Sequence, residues 1–115
     1  MFILCVNEYV TVVVTGYEHD DIWGYSAKLF LMNKTNKNVM VSVNGASVNG
    51  YMSDPFFAKS VSSGKCAFSS ITWSNTALEG NGITAVEEIE FNLRVYYENN
   101  LLASDLVNKK VTLAP

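Results

Sequence analysis

Val86-Glu87-Glu88-Ile89-Glu90-Phe91-Asn92-Leu93-Arg94-Val95-Tyr96-Tyr97 is the most regular stretch of the chain. Ile89, Phe91, Leu93, Val95 and Tyr97 alternate with Glu88, Glu90, Asn92, Arg94 and Tyr96. A period of two is the signature of a strand with one buried and one wet face. The same rhythm recurs upstream. In residues 9 to 17, Val10, Val12 and Val14 share a face against Thr11 and Thr15. In residues 24 to 32, Tyr25, Ala27, Leu29 and Leu31 oppose Ser26 and Lys28, and in 38 to 43 Val39, Val41 and Val43 point inward. Residues 2 to 6 read as an edge strand.

Between these runs lie turn signals. Asn7-Glu8, the polar segment 18 to 22, residues 33 to 37, Asn44-Gly45 and Ser63-Gly64 all have turn composition. In Ser47-Val48-Asn49-Gly50-Tyr51-Met52-Ser53-Asp54-Pro55, Asn49-Gly50 marks a bulge or tight bend and Pro55 ends a strand. Val48 and Met52 are assigned to the core, and the chain is expected to pass here from one sheet to the other. Residues 65 to 73 have an ambiguous phase: Ala67, Ile71 and Trp73 fit one face and Phe68 the other, which predicts a bulge. Ser74 or Asn75 can cap one turn of helix near 75–80, which Gly80 can end. Asn99-Asn100 turns the chain into residues 101 to 107, followed by a final strand at 109 to 113. No amphipathic helix is sustained. The expected fold is all-β, an immunoglobulin-like antiparallel β-sandwich of seven to eight strands with one short helical turn. Irregular strand lengths and the long link from 98 to 108 disfavour an up-and-down barrel.

The chain has 115 residues, enough for one domain with a core of its own. Its net charge is −3, and eight basic residues scattered along it form no stripe, which argues against nucleic acid. No apolar run approaches the ~20 residues of a spanning helix. Met1 precedes Phe-Ile-Leu-Cys-Val without the basic start and long apolar core of a secretory signal. Residues 1–115 are therefore expected to be a single domain excised from a longer protein.

Cys5 and Cys66 bracket Trp23, but the second cysteine lacks the Tyr two residues before it that antibody-type domains carry; Gly64 stands there. Two buried, inert thiols are the simpler expectation than a disulfide.

Several segments together resemble a family. They are Val13-Thr15-Gly16-Tyr17, Trp23-Gly24-Tyr25-Ser26 with Lys28-Leu29, Ser47 to Met52 followed by Asp54-Pro55, Ser63-Gly64-Lys65, Leu78-Glu79 with Gly82-Ile83, and Glu87 to Phe91. The chain resembles, over nearly its whole length, the uncharacterised immunoglobulin-like extracytoplasmic domains of gut Firmicutes, often carried on lipoproteins. The resemblance implies a β-sandwich, an exported and membrane-anchored or cell-surface parent protein, and no assigned activity. It transfers no catalytic residue and no cofactor. Both cysteines depart from the family pattern.

The candidates for chemistry each have a plainer reading beside them. His19, the only histidine, lies in Glu18-His19-Asp20-Asp21, where neighbouring side chains cannot converge on one metal ion. A solvated turn explains it. Glu88 and Glu90 share a strand face at roughly 6.5 Å, within the range that glycoside hydrolysis uses. An exposed strand face explains them as well. Asn33-Lys34-Thr35 fits a glycosylation acceptor, but a turn suffices. The aromatics are the more even contest. Trp73, Tyr25 and Tyr97 fall in phase with the core, whereas Trp23, Tyr51 and Tyr96 do not, and these three are the candidate binding residues.

The expected role is a non-catalytic accessory, spacer or interaction module, not an enzyme, with protein or glycan partners at the cell surface. A carbohydrate-binding module using Trp23, Tyr51 and Tyr96 is the alternative. Residues 2 to 6, as an unpaired edge, are expected to offer a route to self-association.

Overall fold

The computed structural model describes residues 1–100 and 104–115. It contains nine strands, β1 (Phe2–Val6), β2 (Val10–Asp20), β3 (Gly24–Asn33), β4 (Val39–Val48), β5 (Tyr51–Met52), β6 (Ala58–Val61), β7 (Cys66–Trp73), β8 (Ile89–Tyr97) and β9 (Val107–Leu113), and one helix, α1 (Asn75–Gly80). Every pairing is antiparallel. The first sheet has the order β1-β2-β3-β7. The second runs β5-β4-β8-β9, with β6 also on β4.

With β1 set aside, β2, β3 and β7 hold the places of strands A, B and E of an immunoglobulin sandwich, and β4, β8 and β9 those of C, F and G. The chain crosses between sheets from β3 to β4, from β6 to β7, and from β7 through α1 to β8. The all-β immunoglobulin-like sandwich expected from the alternation is what the chain forms.

Alternation decides the core. Val10, Val12 and Val14 of β2, Ala27, Leu29 and Leu31 of β3, Val39, Val41 and Val43 of β4, and Ile89, Phe91, Leu93 and Val95 of β8 all face inward and are buried. Trp73 is the largest of the buried side chains, and its indole N–H donates to the Ser53 carbonyl at 2.8 Å. A buried indole needs such a partner. Ser74 caps α1 by accepting the Ala77 amide on its hydroxyl.

Several local expectations need correction. Asn44-Gly45 is not a turn. It lies inside β4, where the register on β8 slips between Asn44 and Ser47 and Gly45 adopts φ 60°. This is a bulge, and β4 continues past it to Val48. The tight turn is Asn49-Gly50, with φ 51° and 85°, which joins β4 to β5 in two residues. Met52, assigned to the core, is exposed. Glu18-His19-Asp20 extends β2 rather than forming a loop. β7 has no bulge: it pairs with β3 in unbroken register, and Phe68 faces outward. β9 begins at Val107, two residues before the expected start, and residues 101–103 of the expected 101–107 segment lie outside the described residues.

Strand direction places the two ends together. β1 runs antiparallel to β2, and β9 ends at the level where β8 begins. Met1 and Phe2 share one surface cleft with Leu113 and Ala114.

Candidate functional site

The three sequence-predicted aromatics do not share a surface. Trp23 is 72% exposed at the tip of the β2–β3 hairpin, and Tyr51 is 56% exposed on β5, paired with Val48. Both belong to the end of the sandwich where β8 begins. Tyr96 lies near the other end of β8, opposite Met40. From the Val48–Ile89 rung to the Met40–Tyr96 rung is seven residues, about 23 Å along a strand. Tyr96 is also occupied: the Arg94 guanidinium lies 4.2 Å from its ring centre.

The end that holds Trp23 and Tyr51 contains a cleft of about 530 Å³. Its walls come from three segments: the β2–β3 hairpin end (His19, Asp21, Tyr25), the helix (Asn75, Leu78, Glu79) and the link to β8 (Ile83 to Val86). The Asn75 amide donates to the Asp20 and Asp21 carbonyls at 3.1 and 2.9 Å. Its oxygen is thereby turned toward His19 Nε2 at 3.3 Å. An amide oxygen only accepts, so this geometry assigns the ring proton to Nε2. Tyr17 stacks on Tyr25 at 6.0 Å, and His19 tilts against Tyr25 at 6.4 Å. Burial raises the phenol pKa of Tyr25, with Tyr17 adding to the effect. Asn49 braces the far wall, accepting the Glu87 and Glu88 amides and donating to the Ala85 carbonyl. The hairpin tip is set by Asp20, whose carboxylate accepts the Trp23 and Ile22 amides at 3.0 and 2.7 Å.

Glu88 and Glu90 do not form the carboxylate pair that their spacing suggested. Glu90 pairs with Lys110 at 2.9 Å, and Glu88 lies outside the strand. Among the described residues no three His, Cys, Asp or Glu side chains converge as metal ligands. Cys5 and Cys66 are both free. They sit on β1 and β7, three strand spacings or about 14 Å apart across the sheet, well beyond disulfide reach. Cys66 is exposed rather than buried. Burial raises the half-buried Cys5 thiol, while Lys109 and Lys34 pull it down.

A second surface was not anticipated. On the outer side of the first sheet, Ile3, Val13, Phe30 and Phe68 stand in one row across all four strands. Ile3 is 61% and Phe68 79% exposed, and Val13 is covered by the row around it. Phe30 and Phe68 meet at 5.4 Å. The next row is Val6, Thr11, Met32 and Cys66. Beyond the first row the face turns polar, with the Lys28–Glu18 ion pair and the Ser26–Thr72 hydroxyl pair. The sequence did hold a signal for this face: Phe30 is out of phase with Leu29 and Leu31, as Phe68 is with Ala67 and Ile71.

No family model matches the chain, and no curated protein or solved structure matches it.

Proposed function

We propose that the chain is a non-catalytic immunoglobulin-like interaction module of an exported, cell-surface protein, and that the outer side of its first sheet is the contact surface. The apolar row Ile3-Val13-Phe30-Phe68 carries the reading. A wet sheet face normally alternates to polar residues, and contiguous exposed apolar surface marks sites of contact. The bacterial, lipoprotein-associated setting rests on the sequence resemblance. The test is chemical cross-linking on cells that display the domain, native against Ile3→Ser/Phe68→Ser. Discrete cross-linked species that vanish in the double variant support the reading. An unchanged pattern discards the face as the contact.

The carbohydrate reading is favoured by a different observation, the end cleft. It combines the Tyr25 ring and apolar Leu78, Ile83 and Val86 with polar Asp21, Asn75 and Glu79, a mixture suited to a sugar ring. Trp23, on the same hairpin as Asp21, is a built-in reporter. Titrating a glycan panel against tryptophan fluorescence is expected to give a response lost in Trp23→Ala; a flat response across the panel eliminates the cleft as a glycan site.

A further inference from the structure

Two open sheets have four edges, and a bare edge is a template for pairing with another chain. Three of the four are blunted here. β9 carries Lys109 and Lys110. β1 is broken by a register shift between Ile3 and Cys5, and Lys109 Nζ donates to its Leu4 carbonyl at 2.7 Å. That ammonium occupies the edge that residues 2 to 6 were expected to offer. On the remaining edge of the second sheet, β5 has two residues, β6 has four including Lys59, and Pro55 stands between them.

β7 is different. Cys66–Trp73 runs for eight residues with no charge, no proline and no break in register. The direction of its backbone groups follows from one bond. The Asn33 amide donates to the Lys65 carbonyl at 2.9 Å, in step with the Met32–Cys66 rung. Hydrogen-bonded pairs alternate along an antiparallel ladder. Ala67, Ser69, Ile71 and Trp73 therefore bond to β3, and Cys66, Phe68, Ser70 and Thr72 turn their N–H and C=O groups away from it. The Lys34 amide donating to the Tyr9 carbonyl on the other side of β3 fits the same alternation. Among the described residues, none of these outward groups on β7 has a hydrogen-bond partner.

We propose that β7 joins two copies of this chain, antiparallel, about a two-fold axis at Ser69. This extends the reading of the first sheet as the contact side of the module. In that register Cys66 faces Thr72 of the second copy, and Phe68 faces its Ser70. Every outward N–H and C=O of the strand is then paired. The arrangement is closed and self-complementary, as a two-fold interface must be. The strand carries no charge to repel its own image. The two Phe68 side chains then flank the axis as diagonal neighbours on one side of an eight-stranded sheet, within reach of one another. A foreign peptide would satisfy the same backbone groups but would not bring a second Phe68 to the axis.

The test is sedimentation of the whole chain from micromolar to millimolar concentration, under reducing conditions. A dimer is expected that Ser70→Pro abolishes. The Ser70 N–H points outward, so proline there removes no ladder bond to β3, and circular dichroism should show the fold intact. Thr72→Cys supplies a second readout. Oxidation is expected to give a dimer linked between Cys66 of one copy and the new thiol of the other, because directly opposed residues lie within disulfide range. A strict monomer at millimolar concentration overturns the proposal. So does a dimer that survives Ser70→Pro and shows no such link. If Phe68→Ser dissolves that surviving dimer, the copies stack face to face, and the contact surface proposed above stands without the β7 edge.

Discussion

Asn33 is the one polar side chain fully buried among the described residues, and it explains why the crossing from β3 to β4 has a fixed shape. Its amide donates to the Lys37 and Val61 carbonyls at 2.8 and 2.9 Å, and its oxygen accepts from the Thr35 amide and hydroxyl. Asn33→Ala removes the buried hydrogen bonds to the Lys37 and Val61 carbonyls and is expected to cost about 1–3 kcal/mol. The midpoint of urea denaturation measures it; a change too small to resolve would show that water can take over the site. Composition reads Asn33 as a turn residue because such residues are usually wet. Its burial follows only from β6 packing alongside, which no local signal announces. Asp20 gives a pH-dependent counterpart. Its bonds from the Trp23 and Ile22 amides hold its carboxyl below the usual range, against a small opposing effect of desolvation and with help from His19. A lowered folded-state pKa means that the stabilisation is complete above the unfolded value of about 3.9 and fades as the pH falls through the folded one. Asp20→Asn keeps an accepting oxygen but cannot titrate. It is expected to leave the melting temperature near neutrality almost unchanged and to flatten its decline on the acid side. An equally steep decline in the variant would assign the acid sensitivity to other carboxylates.

Among the elements, the junction of β3 with β7 tolerates least. Gly24 has φ +127°, and a Cβ there would stand 2.0 Å from the Trp73 carbonyl oxygen. Strain and collision together are expected to make Gly24→Ala cost roughly 2–5 kcal/mol, seen as a large fall in melting temperature. A small fall would mean that β7 can draw away from the hairpin without losing Trp73. The phase of β2, β3, β4 and β8 was readable because each buries one face against the other sheet, and burial is what imprints a period of two. β7 misled for the same reason. Phe68 breaks the expected polarity of a wet face, so a bulge looked necessary, when the strand is regular and the face itself is apolar. Asn44-Gly45 misled in the opposite direction. A glycine with positive φ serves a bulge as well as a turn, and only the pairing of β4 with β8 distinguishes them. Of the candidate residues, Trp23 and Tyr51 were correctly read as exposed, but their distance from Tyr96 depends on strand register, which alternation alone does not reveal.

At the level of the whole molecule, the sandwich follows from two antiparallel sheets that each supply half of a core, and β1 is an addition to the immunoglobulin plan. Without β1 the chain would enter at the end opposite its exit. β1 doubles back along β2, so that Met1 and Phe2 come to rest beside Leu113 and Ala114. Segments joined to residues 1 and 115 would therefore emerge side by side. A domain joined to a longer chain at both ends would hang from it as a pendant and add almost nothing to its reach, which is the reverse of what a spacer does. Tension between the two flanks would open the β1–β2 ladder rung by rung from its end, not shear it all at once, and the Lys109 bond to Leu4 is one of the first fastenings it would meet.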